Sequence, residues 1–340
     1  MVKKLLLFLI VLMLIFLVSY ILGPTVQYSQ VNATPMELDI PLDQLDLYVS
    51  DVVNTDPRIK PDNEARILWQ DSLQKTEYAV VYLHGFEASW AESDPIIKNF
   101  AERYNCNTYL SRISQQALND LDALAEESPE GMIESAKQAI AIGKLLGDKL
   151  IVLSCSTGST YSTYLAASDP EIYAQIMTAP NFDLEDSNSK ILTGPWGKQI
   201  LRKMIGGDYR SWEANEAIVK YWNDKYRIEG LIALRALLDQ TMTPDIWKKN
   251  KTPYFIGYYY KDDIARDNII SIDAINEFNR HATTETSAKK VIAFDNAKGH
   301  VISSDLMNPN WESVQDSIFS YVEEVLYMKP APIPSENPEF

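Results

Sequence analysis

The groups in this chain whose setting suits nucleophilic chemistry are a serine, a histidine and a set of aspartates, and the serine is the most distinctive. The run Leu150-Ile-Val-Leu-Ser-Cys-Ser-Thr-Gly-Ser-Thr-Tyr161 is an apolar strand that breaks into small residues and then turns helical. Within it, Ser154-Cys-Ser-Thr-Gly158 approximates G-x-S-x-G, in which small neighbours let a serine sit on a sharp strand-to-helix elbow. Ser156 is that serine, Ser154 stands in for the first glycine, and the N–H of Thr157 points where an oxyanion would form. Cys155 is a rival nucleophile. A residue just before the apex points into the sheet, however, where a thiolate is poorly stabilised. Small residues after a buried strand also make ordinary turns, so the pentapeptide needs partners elsewhere in the chain.

Two further signals supply them. The continuously apolar run Tyr78–Leu83 leads into His84-Gly-Phe86, where a glycine past a buried strand lets the next N–H, that of Phe86, face the elbow as a second oxyanion donor. His84 itself, beside the strand end, suits a structural hydrogen-bonding role, and Glu87 and Glu92 read either as pocket wall or as solvated loop. Farther along, Thr252–Tyr260 precedes Lys261-Asp262-Asp263, and Lys289–Phe294 precedes Lys298-Gly-His300. A carboxylate after the first of these strands and a histidine after the second give the chain order serine, acid, histidine. Of the three histidines, His281 closes a helical stretch, Ser271–Arg280, and suits a C-terminal cap. His300 is left as the base.

These groups meet only if one sheet presents them along one edge, and the element pattern predicts such a sheet. From Ala65 onward, strands (65–69, 78–83, 107–113, 149–153, 173–177) alternate with helical runs (94–104, 131–146, 159–167), the signature of a largely parallel sheet with helices on both faces. Residues from about 183 to 243 break the alternation with Trp196, Trp212, Tyr221, Trp222 and a Gly206-Gly207 turn, and read as a helical cap insertion over the elbow. At 340 residues the chain has room for one large domain with an insertion. Its net charge of -16 argues against nucleic acid and against adhesion to anionic lipid through a basic face. Cys106 and Cys155 read as two buried free thiols.

Ahead of this domain, Lys3 and Lys4 precede an uncharged run from Leu5 to Leu22. As a helix it covers about 27 Å, close to the roughly 30 Å core of a bilayer. Pro24 after Gly23 is a poor context for cleavage, which favours an uncleaved signal anchor over a cleaved signal peptide and secretion. The lysines then stay in the cytoplasm and the domain lies outside it, on a single-pass membrane protein. The expected organisation is an anchor over 1–23, a proline-broken linker or stalk over 24–62, a domain over 63–328 with its cap, and a proline-rich surface tail over 329–340.

Taken together, Leu83-His-Gly-Phe86, Ser154-Cys-Ser-Thr-Gly158 and Lys298-Gly-His-Val301 resemble the serine α/β-hydrolase superfamily, in particular its lysophospholipase-like and serine-aminopeptidase-like esterases, over roughly residues 65–328. The resemblance implies an α/β-hydrolase fold with a helical cap, Ser156 as nucleophile, His300 as general base and acid, and Phe86 and Thr157 as oxyanion donors. In such hydrolases the acid lies just after the strand and shortly before a residue that opens the next helix. Asp262 meets the first condition, and Asp267 meets the second, as though about five residues had been inserted. Ser271 looks like a helix cap and fixes the register in favour of Asp267, ahead of Asp262 and then Asp263. The implied activity is cleavage of a small-molecule or lipid carboxylic ester through an acyl-enzyme, without cofactor or metal. Two other readings remain: a binding or scaffold protein that keeps the shell without turnover, and a serine peptidase or acyltransferase.

Overall fold

A computed structural model of the chain describes residues 2–70 and 72–332. Helix α1 (Val2–Ile21) has no buried residue, and its mean hydropathy of 2.8 makes it long and apolar enough to cross a bilayer. Then come α2 (Leu42–Tyr48), β1 (Arg66–Leu68), β2 (Thr76–Leu83), α3 (Ile96–Tyr104), β3 (Asn107–Leu110), α4 (Pro129–Leu146), β4 (Gly147–Cys155), α5 (Thr157–Ala166) and β5 (Ile172–Thr178). The cap region holds α6 (Gly197–Ile205), β6 (Tyr209–Ser211), α7 (Glu216–Val219), β7 (Lys225–Arg227) and α8 (Ile228–Thr241). After α9 (Pro244–Trp247), β8 (Tyr254–Tyr259), α10 (Ile272–His281), β9 (Lys289–Phe294) and α11 (Trp311–Glu324) complete the domain.

The main sheet has seven strands in the order β1-β3-β2-β4-β5-β8-β9, parallel throughout except for the antiparallel edge strand β1. Its central strands are buried on both faces, and alternate residues feed two separate cores. Ala79, Val81 and Leu83 of β2, with Leu150 and Val152 of β4, pack beneath α4, α5 and α10. Tyr78, Val80 and Tyr82, with Ile151, Leu153 and Cys155, face α3 and α11. This period of two explains why both runs read as continuously apolar. It also sends the Cys155 thiol away from the elbow, into a setting where burial pushes its pKa well up.

Residues 24–62 differ from the expected linker. Leu45, Val49 and Val53, spaced four apart along α2 and the helical turn that follows it, form an apolar stripe buried in the domain core. Ahead of them an extended strap packs Tyr28, Val31, Ala33, Leu38 and Ile40 on the same core. It is pinned where the Gln240 side chain accepts from Val31 N–H at 2.9 Å and Tyr164 donates its hydroxyl to Val31 C=O at 3.1 Å. The prolines that suggested a flexible stalk break helix and sheet but still allow close packing as a strap. At the other end, Ala331 donates to Arg103 C=O at 2.7 Å, and the rest of the expected tail, 333–340, lies outside the described residues.

Candidate active site

At the carboxyl edge of the sheet, β4 ends at Cys155 and α5 begins at Thr157, which leaves Ser156 alone to turn the chain. It does so at φ 50°, ψ −120°, a conformation that costs on the order of 1–3 kcal/mol for a residue with a Cβ. The surroundings enforce it. Ser156 N–H donates to Thr178 C=O at 3.0 Å, and its own carbonyl accepts from Asn181 N–H at 3.0 Å and Ser159 N–H at 2.9 Å. Gly158 permits the close approach of α5 to β2, since a Cβ there would lie 1.9 Å from the Leu83 carbonyl oxygen. Ser154, in place of the expected first glycine, turns its hydroxyl inward to Ser159 Oγ at 3.1 Å.

Ser156 Oγ lies 2.8 Å from His300 Nε2, and His300 Nδ1 lies 2.7 Å from Asp267 Oδ2. The loop after β9 delivers His300, and an excursion after β8 delivers Asp267. Tyr260 and Arg266 pair across the base of that excursion, so residues 261–265 loop out and Asp267 returns to donate its N–H to Tyr259 C=O at 3.1 Å. Asp262 sits on the loop, exposed, where its Oδ1 accepts the N–H groups of Ile264 and Ala265 at 2.9 and 2.8 Å. It caps a turn and does not reach His300. Asp263, also on the loop, accepts the Tyr260 hydroxyl at 2.9 Å. Of the acid candidates, Asp267 alone is buried.

The electrostatics of the pair follow from this geometry. Burial alone would lower the pKa of His300, but the charge and hydrogen bond of Asp267, with the more distant charge of Glu92, outweigh it and hold the pKa above its ordinary value. Burial likewise works against an ionised Asp267, yet the His300 charge and hydrogen bond and the N–H groups of Ile269 and Ile270 keep its pKa below the usual carboxylate value. A buried carboxylate thus faces an imidazole whose far nitrogen is free to take a proton from a serine hydroxyl.

The loop after β2 lies against this serine, because a Cβ on Gly85 would stand 3.0 Å from Ser156 Cβ. Two buried side chains fix its peptides. Glu92 Oε2 accepts Gly85 N–H at 2.6 Å, and Gln116 Oε1 accepts Glu87 N–H at 2.9 Å. Among the described residues, neither the Phe86 N–H nor the Thr157 N–H donates a hydrogen bond. His84 is held as a neutral ring: its Nδ1–H donates to Gly85 C=O at 2.8 Å, its Nε2 accepts Ile113 N–H at 3.0 Å, and burial pulls its pKa down to about 4. Gln116 carried no signal in the sequence, since nothing near it forms a motif. Glu92 was visible in the loop, but its burial was not.

The cap closes over this loop. The Phe86 ring packs edge-on against Tyr226 of β7 at 5.6 Å, and a Cβ on Gly230 of α8 would meet its Cζ at 3.0 Å. Beneath it, Glu87 accepts from Asn223 of the cap at 2.6 Å, and Glu127 accepts from Ser128 N–H at 2.9 Å and from Gln116 Nε2 at 3.3 Å. Burial pushes the Glu87 and Glu127 carboxyls up to about 7 and about 8. Among the described residues no group of three or more His, Cys, Asp or Glu has the arrangement of a metal site.

No protein-family model and no curated protein matches the sequence. Solved structures do match the fold. One, of metagenome-derived lipolytic enzymes, superposes with a TM-score of 0.63 at 11% identity and covers 78% of this chain and 99% of its own. A monoacylglycerol lipase of Paleococcus ferrophilus gives 0.55 at 14% identity, over 76% of this chain and 97% of its own. An enol-lactonase of Burkholderia xenovorans gives 0.52 at 12% identity, over 76% and 96%. At these identities the likeness is one of architecture, and with the sheet order described above it establishes that the chain has the α/β-hydrolase fold.

Proposed function

We propose that the protein is a serine hydrolase that cleaves a carboxylic ester through an acyl-enzyme on Ser156. The observation that carries this reading is the continuous chain Ser156 Oγ, His300, Asp267, with contacts of 2.8 and 2.7 Å, at a strained elbow. His300 Nε2 takes the serine proton as Oγ attacks the ester carbonyl, and Asp267 holds the ring in the tautomer that leaves Nε2 free. The Phe86 and Thr157 N–H groups stabilise the oxyanion, each on the scale of about 3 kcal/mol. His300 then hands its proton to the departing alcohol, and water repeats the sequence to release the acid. The lipolytic and lactone-cleaving activities named for proteins of the same fold support an ester over an amide. Helix α1 serves as a membrane anchor, with Lys3 and Lys4 on the cytoplasmic side and the domain outside, which places lipid esters within reach.

A fluorophosphonate probe tests the reading, because it labels only an activated serine. The wild-type chain is expected to label and to hydrolyse p-nitrophenyl esters, and Ser156→Ala is expected to do neither. A wild-type protein that stays unlabelled would favour a binding protein on a hydrolase shell.

A further inference from the structure

Helix α1 is attached to the cap, and the attachment is specific. Trp196, in the left-handed region at φ 62° just before α6, donates its N–H to Pro24 C=O at 2.8 Å and its Nε1–H to Ser19 C=O at 3.1 Å. Its ring lies over Gly23, where a Cβ would come within 2.1 Å of Trp196 Nε1. Helix α6 divides into three sectors. Gly197 and Leu201 are buried in the cap and Ile205 packs beside them. Lys198 and Arg202 pair with Glu229 and Asp208 at 2.8 and 2.9 Å. The third sector, Trp196, Gln199, Ile200 and Lys203, has the i, i+3, i+4, i+7 spacing of one helix face and looks at α1 across an open groove of about 440 Å³ lined also by Phe16, Ser19 and Tyr20.

We infer that α6 lies in the headgroup layer of the bilayer that α1 crosses, with lipid acyl chains filling the groove between the two helices and Lys203 at the lipid phosphates. The inference rests on the membrane-anchor reading of α1 but not on catalysis. Depth supports it: Phe16 lies five residues before the end of α1, or about 7 Å along the helix, within the roughly 5–10 Å to which interfacial helices sink. Composition supports it too. Met204, 69% exposed, stands beside the groove sector together with the part-exposed Tyr20 and Trp196, and the two aromatics are the types found at membrane interfaces. The chain as a whole is strongly acidic, yet α6 carries no acid; Lys198 and Arg202 offset Glu229 and Asp208, and Lys203, in no ion pair among the described residues, leaves the groove face with a positive charge toward anionic lipid. Helix α6 packs on α8, which reaches Phe86 through Gly230, so the seated cap joins the lipid surface to the mouth of the site.

The test is depth measurement on the full-length chain in vesicles of phosphatidylcholine with a minority of phosphatidylglycerol. The native thiols Cys106 and Cys155 are buried and stay unlabelled, so Met204→Cys takes an environment-sensitive fluorophore, with Leu73→Cys, exposed in the segment between β1 and β2, as the control. The expected result is blue-shifted emission at 204, quenched several-fold more strongly by a lipid spin label near the headgroup than emission at 73. A water-like, unquenched probe at 204 in protein that floats with the vesicles would overturn the seating of α6 and leave the anchor intact. Equal quenching at both sites would reduce it to unspecific adhesion, and a chain that fails to float would remove the anchor and this inference together. None of these outcomes depends on ester hydrolysis.

Discussion

Within the site, two residues separate positioning from proton transfer. On the proposed mechanism Asp267, 2.7 Å from His300 Nδ1, fixes the imidazole tautomer, so Asp267→Asn is expected to cut turnover by roughly 10⁴-fold, on the scale of the same change in other triads. Asp262→Asn, which alters only a turn cap, should stay close to wild type. Comparable losses in both variants, measured on one p-nitrophenyl ester, would break the assignment. Glu92 holds the peptide before Phe86 and also adds charge that favours the imidazolium form of His300. The base must be neutral to act, and its pKa is held above 6.5, so the acid limb of kcat/KM should lie above pH 6.5. Glu92→Gln keeps an oxygen for Gly85 N–H but removes the charge, and the limb should move to lower pH with little change in the plateau. An unmoved limb would mean that Glu92 acts only through the loop.

At the scale of elements, the elbow depends on how near α5 comes to β2. Gly158→Ala sets a methyl group against the Leu83 carbonyl, backbone that has no other place to go. The expected outcome is a loss of more than about 3 kcal/mol or withdrawal of α5 from the sheet, with loss of probe labelling. A variant with wild-type denaturation midpoint and wild-type labelling would show that the approach is looser than described. The same element shows why parts of the molecule were legible in the sequence and others were not. Strand, small turn and helix leave a local pattern, so residues 150–161 could be read as one unit, and Ser271 could be read as the cap it forms with Ala274 N–H at 3.3 Å. The strap could not, because its partners Gln240 and Tyr164 are more than a hundred residues away and its prolines match a flexible linker as well as a packed one. The excursion that carries Asp262 outward and Asp267 inward was legible only as an extra length of chain, since its closure is a few backbone contacts, the Tyr260–Arg266 bridge and the bonds from Lys261 to Ala265 and from Asp267 to Tyr259, that follow no residue pattern.

The whole molecule converges on a buried acidic junction. Glu127 stands ahead of α4 in the core, Glu87 follows Phe86 in the loop after β2 and is held by Asn223 of the cap, and Tyr28 comes from the strap with its pKa pushed up to about 12 by burial and then by Glu127 and Glu229. Core, cap and strap therefore share groups that prefer to keep their protons. Glu87 and Glu127 have folded-state values of about 7 and about 8, against 4.5 for an unperturbed glutamate. Between about pH 5 and pH 7 the folded chain binds two protons that the unfolded chain has released. Stability from this source is complete below the unfolded value and declines as pH rises, by about 1.4 kcal/mol per pH unit for each proton, until each folded value is passed. His300, also raised, acts in the same direction, while the contribution from Asp267 is already complete by pH 5. Urea unfolding is therefore expected to show stability falling from pH 5 to pH 8. Glu127→Gln should remove about half of the glutamate part of the decline between pH 5 and 7 and make the curve shallower from 7 to 8, where Glu127 alone of the pair still titrates and His300 supplies the slope that is left. A variant curve parallel to wild type would place the proton elsewhere and would dissolve the link between the cap, the strap and the core.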